Sequence, residues 1–281
     1  MLCIGGQRAD ALVEQAGDTP LFVYDMAIVQ QRLAALRAAM PAELGLHYAI
    51  KANSLPAFLA AMRPMVDGFD VASGGELARA LAADMPAADI SFAGPGKRDR
   101  ELEAAIAAGA TINLESAGEA RRALAIGDRL GTTPRLAVRV NPDFDLKGSG
   151  MRMGGGAKAF GVDAQLVPDL VRELRGAGAH WRGFHIFAGS QALDAAAIAH
   201  TQAQTVALAA TLADAIGASP PVVNIGGGLG VPYFPNDKPV DVAHVGAQLS
   251  TVLAERADIL ADAHFAMELG RYIAADCGVY L

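Results

Sequence analysis

The sequence predicts a parallel (β/α)8 barrel, an α/β TIM barrel, and three observations lead there. Eight short apolar runs recur along the chain, separated by about one helix each, which is the pattern of repeated βαβ units. A length of 281 residues suits one barrel built around one core. Residues able to do chemistry stand just after these runs and not before them, as they would on the one barrel face where active sites assemble. An open doubly wound sheet is the alternative, but eight units fill the barrel's strand count.

Residues 1–20 read as an N-terminal segment, and a short extended piece covers 21–24. Asp25 then caps a helix whose apolar positions Ile28, Val29, Leu33 and Leu36 share one face, and Pro41 closes it. The first strand is expected at 44–50 and the second at 68–72, followed by Gly74-Gly75 and a helix through Leu81. The third, 90–93, ends in the turn Gly94-Pro95-Gly96-Lys97, which leads into a helix carrying Leu102 and Ile106. The fourth, 111–114, ends at Glu115-Ser116, with Ser116 capping a helix to about Leu130. The fifth, 136–140, runs into Asn141-Pro142 and a long loop rich in glycine and methionine, 143–161, of a length usually tied to function or disorder. A helix over 163–176 returns the chain to the sixth strand, 181–187, and another helix reaches Ile216. The seventh strand, 222–225, ends in Gly226-Gly227-Gly228-Leu229-Gly230; a helix over 242–259 precedes the eighth, 265–268.

Composition narrows the function. The chain is 52% hydrophobic and 19% charged, a globular balance, and its net charge of -7 argues against nucleic acid or an anionic membrane as partner. Cys3 and Cys277 are far apart and have no metal-ligand spacing, so they read as ordinary thiols and no metal is expected. There is no leader-like N-terminus and no apolar run of ~20 residues, which gives the expectation of a cytoplasmic protein with no membrane partner.

Lys51 is the pivot of the chemistry. A lysine at the end of a buried strand is expected to lose part of its hydration, which lowers its pKa and frees the amine to form a Schiff base; a solvated lysine capping a strand is the bland reading. The other strand ends supply Asp70, Ser73, Gly94, Glu115, Arg139, Asn141, His185, Ser190, the glycine run, Glu268, Gly270 and Arg271. Glycines after the seventh strand allow backbone N–H groups to approach a phosphate, and Arg271 after the eighth is placed to close on it. A Schiff-base lysine, a phosphate cradle and a carboxylate are together what pyridoxal 5′-phosphate (PLP) requires.

Six motifs now form an ordered set: Tyr48-Ala49-Ile50-Lys51-Ala52-Asn53, Phe69-Asp70-Val71-Ala72-Ser73-Gly74-Gly75-Glu76-Leu77, Arg139-Val140-Asn141-Pro142, Gly189-Ser190-Gln191, the glycine run, and Glu268-Leu269-Gly270-Arg271-Tyr272. This set resembles the fold-type III PLP-dependent decarboxylases, the diaminopimelate, ornithine and arginine decarboxylase type. The stretches 183–191 and 92–97 look closest to the branch associated with exosortase gene systems. The resemblance implies that Lys51 carries the cofactor and that Gly226, Gly227, Gly228, Gly230, Gly270 and Arg271 hold its phosphate. It places Glu268 on the pyridine nitrogen and Asp70, Arg139, His185 and Ser190 around the site. A small amino-acid substrate is implied, as is a homodimer at full length. Glu268 favours decarboxylation, since related racemases carry an arginine there.

Two departures stand out. Phe187 occupies the place of the usual ring-stacking histidine, with His185 two residues earlier as a candidate catalytic group. Relatives of this family also continue into a β-rich domain, so 21–275 reads as the barrel and 276–281 as the start of a truncated one, in a chain that binds PLP but is incomplete as an enzyme. A non-catalytic PLP-binding barrel of the cofactor-homeostasis type is the alternative, and it lacks the Glu-x-Gly-Arg ending and the long loop.

Overall fold

The protein is described here by a computed structural model that covers residues 2–152, 154 and 159–281. An antiparallel pair, β1 (Cys3–Ile4) and β2 (Gln7–Arg8), precedes α1 (Ala9–Ala16), β3 (Phe22–Tyr24) and α2 (Met26–Ala39). Then follow β4 (Gly45–Ala49), α3 (Pro56–Met62), β5 (Gly68–Val71), α4 (Gly74–Ala82), β6 (Ile90–Phe92), α5 (Asp99–Ala108), β7 (Thr111–Leu114) and α6 (Ala117–Leu130). The second half contains β8 (Arg135–Asn141), β9 (Met151–Arg152), β10 (Val162–Asp163), α7 (Val167–Gly176), β11 (His180–Ile186), β12 (Gly189–Ser190) and α8 (Ala195–Ile216). It ends with β13 (Val222–Asn224), α9 (Val242–Ala254), β14 (His264–Leu269), α10 (Arg271–Ala274) and β15 (Gly278–Tyr280).

Eight parallel strands close in the order β4-β5-β6-β7-β8-β11-β13-β14, with β14 pairing back to β4. That closure excludes the open sheet. Period-2 alternation explains the two sides of the wall. Leu46 and Tyr48 of β4, Phe69 and Val71 of β5, and Ile112 and Leu114 of β7 are 0–2% exposed and belong to the apolar core with Leu33, Leu36 and Phe58. The intervening positions are polar: His47, Asp70, Asn113, Glu115, Arg139, His185, Asn224 and Glu268. Strand register aligns several of them, with His47 opposite Glu268, Arg139 opposite His185, and His185 opposite Asn224. An apolar layer therefore holds helices to barrel while a polar ladder runs up the inside.

Local signals act as expected at several helix starts. Asp25 accepts from the Ala27 N–H and Ser116 from that of Glu119, each satisfying a donor the first turn would leave open, and Ser73, not foreseen as a cap, does the same for Glu76. Val29, Leu33 and Leu36 are buried, with Ile28 packed against the same core.

Other elements differ from expectation. Helix α3 has only seven residues and opens on Pro56, so its periodic signal is short, yet it buries Phe58, Leu59 and Met62. The hairpin β1–β2 and α1 lie within the N-terminal segment 1–20, for which no element was expected. The helix expected from residue 163 starts at Val167, because Val162–Asp163 pairs in parallel with β8. Within the long loop, Met151–Arg152 pairs antiparallel with Gly189–Ser190; Lys158 and its neighbours at 153 and 155–157 lie outside the described residues. Phe22–Tyr24, counted above with the barrel, pairs instead with Gly278–Tyr280, and Phe22 and Tyr280 pack their exposed rings 4.8 Å apart.

Candidate active site

The C-terminal ends of the eight strands gather the expected residues. Lys51 sits in a single helical turn, Ile50–Ala52, directly after β4. It is exposed, so the expected desolvation of the amine is not found. The turn carries the side chain out of the strand wall before burial can act on it, and Lys51 enters the site as an accessible amine whose positive field reaches Glu268.

Glu268 is the most constrained acid of the site. Its Oε2 lies 2.9 Å from His185 Nε2 and accepts a weaker bond, 3.4 Å, from Asn224 Nδ2. Burial alone would raise the pKa of this carboxyl. His185 outweighs it, with Lys51 and Arg139 adding to the pull, and Glu268 is held well below the usual carboxylate range. Among the described residues both bonds converge on Oε2, which leaves Oε1 as the oxygen able to meet a further donor. His185 is 1% exposed, so it stands behind the carboxylate, while Phe187 lies partly open beside Gly226 with its ring nearly parallel to that of His185, 6.5 Å between centroids. Of the two candidates for the stacking position, the phenyl ring is therefore the one facing the site.

A depressed carboxyl has a consequence for acid stability. Its folded pKa lies below the unfolded value of ~4.3, so Glu268 contributes stability above that value and loses it as pH falls through the folded one. Wild type is expected to lose denaturant resistance more steeply below about pH 4.3 than Glu268→Gln, which chemical unfolding at stepped pH would measure. Parallel pH curves would contradict it.

Asp70, at the end of β5, is 6% exposed, and neither carboxylate oxygen has a hydrogen-bond partner. His47 Nδ1 is 3.5 Å away, an ion-pair distance without bonding alignment. Burial works against charge on His47, but Asp70, Glu268 and Asp67 together raise its pKa. Arg139 is engaged: it pairs with Glu115 at 3.0 Å and places its guanidinium 4.8 Å from the Phe160 ring centroid. Glu115 also accepts from the N–H groups of Gly94 and Gly161, so one carboxylate ties the ends of three segments together.

The glycine run has a packing reason that the sequence did not show. Gly226 and Gly228 have φ of 71° and 86°, and a Cβ on Gly227 would lie 1.8 Å from the Glu268 carbonyl oxygen. On Gly270 it would lie 3.0 Å from the Ala49 carbonyl oxygen, beside the turn that carries Lys51. Backbone approach this close fixes the loop against the strand that bears the key acid. Arg271 begins α10, is exposed, and lies 5.7 Å from the Tyr233 ring centroid. Ser190 is partly buried in the β12 pairing.

Sequence reasoning missed two supports. Gln191 has φ 60°, unusual for a side chain of its size, and its amide makes bonds of 2.7 and 3.2 Å to Val231 and accepts from Arg271 at 3.2 Å. It clasps the glycine loop to the arginine. Lys97, read only as part of a turn, is 4% exposed and donates to the carbonyls of Gly94 and Asn113 and to Glu119. Burial lowers its pKa, against the pull of Glu119 and Glu115. Lys97→Met strands a buried acid and is expected to cost about 3–5 kcal/mol; a urea midpoint equivalent to less than ~1 kcal/mol of loss would refute this. No cluster of His, Cys, Asp and Glu fit to hold a metal occurs among the described residues. Nor is any helix among them long and apolar enough to cross a membrane.

Comparison with known proteins agrees with this geometry. The family model for the pyridoxal-dependent decarboxylase, pyridoxal binding domain, matches residues 26–275. An L-glutamyl acyl-carrier-protein decarboxylase of Niallia circulans is 32% identical over 94% of this chain and 62% of its own length. A diaminopimelate decarboxylase of Aquifex aeolicus is 34% identical over 100% of the chain and 66% of its own. The chain thus spans somewhat less than two thirds of these relatives. Among solved structures, diaminopimelate decarboxylase of Helicobacter pylori, complexed with L-lysine, superposes with a TM-score of 0.85 at 28% identity, covering 96% of this chain and 68% of that one. With a matched segment that takes in Lys51, Glu268 and Arg271, the chain belongs to the pyridoxal-dependent decarboxylase family and carries its pyridoxal-binding barrel.

Proposed function

We propose that this barrel holds pyridoxal 5′-phosphate on Lys51 and serves the decarboxylation of an amino acid, or of an amino-acid group on a larger carrier. The observation that carries the reading is Glu268, a buried ionised carboxylate backed by His185 at the same barrel end as an exposed lysine. The residues fit the cofactor: the glycine loop is a cradle that a Cβ would fill, and Asp70 offers two buried oxygens without a hydrogen-bond partner. When bound, the cofactor supplies an electron sink for the charge released as CO2 departs.

Each side chain then has a definite task. Lys51 would provide the amine for covalent attachment, and Glu268 would hold the proton on the ring nitrogen. His185 keeps that carboxylate ionised and oriented, while Phe187 would cover a ring face without offering a proton. Gly227 and Gly228 would present backbone N–H groups to the phosphate, while the N–H groups of Gly226 and Gly230 hold the loop in shape by donating to Asn224 Oδ1 and the Ala192 carbonyl; Gly270 lies beside them and Arg271, steadied by Gln191, would close on the phosphate. Arg139 adds positive field at Glu268, and Ser190 borders the loop. A barrel that merely stored the cofactor would have no use for an acid so strongly held in its charged form.

The relatives are named for free diaminopimelate in one case and a carrier-bound glutamyl group in another, so a shared amino-acid end with a variable distal part is the substrate class proposed here. A homodimer, a cytoplasmic location, membership of the exosortase-associated branch, and a division into 1–20, the barrel 21–275 and a C-terminal unit from 276 belong to the same proposal. The site is tested by Arg271→Ala, expected to weaken PLP at least ~10-fold more than pyridoxal, which lacks the phosphate. Equal weakening of both in equilibrium titrations would remove the phosphate role.

A further inference from the structure

The opposite, amino-terminal mouth of the barrel carries a charge arrangement that the chemistry above does not use. A cavity of about 500 Å³ there is lined by Arg135, Arg175, Ala179, His180, Trp181 and Arg182. Three guanidinium groups and an imidazole meet with no carboxylate in the lining. The chain as a whole is acidic, with a net charge of -7, so such a gathering runs against its own composition.

The backbone is built to produce it. Strand β11 pairs with β8 through His180 opposite Arg135 and Trp181 opposite Leu136, then resumes with Gly183 opposite Ala137. Arg182 is the extra residue of a β-bulge, a device that re-aims one side chain out of the ladder. The bulge requires glycine after it: Gly183 has φ 103°, and a Cβ there would lie 1.9 Å from the Val222 carbonyl oxygen. Arg182 is thereby brought to the wall shared by this cavity and a second one of about 420 Å³ that enters the barrel interior.

The cations held there are poorly compensated. The Nε atoms of Arg135 and Arg182 and the indole Nε1 of Trp181 are buried without hydrogen-bond partners. Arg135 makes one long bond, 3.4 Å, from Nη2 to the Ala88 carbonyl. The causes acting on Arg182 are burial and the like charge of Arg135, and both disfavour its cation. Glu43, Asp67 and Asp89 line the adjoining cavity that Arg182 shares, but among the described residues no carboxylate bonds to or ion-pairs with Arg135 or Arg182, and two arginines packed together in this way are favoured by a ligand that brings negative charge.

We propose that this mouth is a binding site for a small polyanion, a phosphate ester or a polycarboxylate, gripped by Arg182, Arg135 and Arg175. Guanidinium forks match phosphate and carboxylate oxygens bidentately, and the open depression has room for a small anion at the surface. Because it lies at the far end of the barrel from Lys51, its ligand is neither the cofactor nor the substrate.

Isothermal titration calorimetry with inorganic pyrophosphate and with citrate, at fixed ionic strength and with PLP present to fill the anchor at the other end, tests this. Saturable binding of one or both probes is expected, weakened at least tenfold by Arg182→Gln and several-fold by Arg175→Gln, with PLP binding unchanged. Preference for pyrophosphate identifies a phosphate ester, and preference for citrate a polycarboxylate. Absence of saturable binding at millimolar probe, or equal binding by both variants, would overturn the proposal. Arg175 is exposed on α7 and its variant is expected to fold, so unchanged affinity in Arg175→Gln alone refutes the three-arginine grip even where Arg182→Gln is unstable.

Discussion

In a version of the chain extended through a β domain, Glu268→Gln is expected, on the proposed function, to lower decarboxylation by about 10²–10³-fold while leaving PLP bound within a few-fold of wild type. The substitution keeps size and shape and removes one negative charge at the point where the ring nitrogen needs a partner. In the native site that charge is secured against burial by His185 at 2.9 Å, so the fold maintains an ionised group in an interior position where a neutral one would be easier to hold. An interaction of this kind grows as charge develops in the transition state, and its loss should appear in kcat rather than KM. In the proposed site the phosphate is held by the glycine run and Arg271, residues separate from Glu268, which is why affinity and rate should part. His185→Asn offers a graded companion, because it removes the support and leaves the acid. Steady-state CO2 release and a PLP titration on the same preparations measure both quantities; unchanged turnover in Glu268→Gln would eliminate the electrostatic role.

Lys51→Ala is expected to abolish covalent attachment of the cofactor and, in a version extended through a β domain, to reduce the proposed turnover by at least about 10³-fold. Among the described residues, Lys51 is the lysine placed immediately after a barrel strand and within the field of Glu268. Lys97, also close to the strand ends, is committed to two carbonyls and Glu119 and is 4% exposed, so it is not free to substitute. Added alkylamines should restore part of the rate in Lys51→Ala if only the amine is missing. A variant retaining the wild-type absorbance of bound cofactor would show that another group makes the bond.

The barrel was legible because its strands carry β-rich apolar runs closed by glycine, proline or a cap, and because parallel βαβ repetition leaves few topologies. Helix α3 was not, since seven residues opening on proline carry too little periodicity; its helicity comes from burying Phe58 and Met62 on the barrel. Pairing of Phe22–Tyr24 with Gly278–Tyr280 was equally hidden, being a contact between the two ends of the sequence. Within the site, the order of motifs placed Lys51, Glu268 and Arg271 correctly at one end. It could not show that Lys51 leaves the wall through a helical turn and is exposed, nor that Arg139 is tied up by Glu115. Gln191 carried a signal only in hindsight of its backbone: a positive φ on a non-glycine residue marks a position held by its surroundings. The glycine run looked like a phosphate loop and proves also to be a packing necessity, because a side chain at 227 would strike the carbonyl of Glu268.

Lys51 as the residue that binds the cofactor is the central claim, and reduction with borohydride followed by peptide mapping tests it most directly. After incubation with PLP and reduction, a stoichiometric pyridoxyl group is expected on the peptide containing Tyr48-Ala49-Ile50-Lys51-Ala52-Asn53, lost in Lys51→Ala and retained in Glu268→Gln. A label found instead on Lys97, Lys147 or Lys158, or no label at saturating PLP, would contradict it.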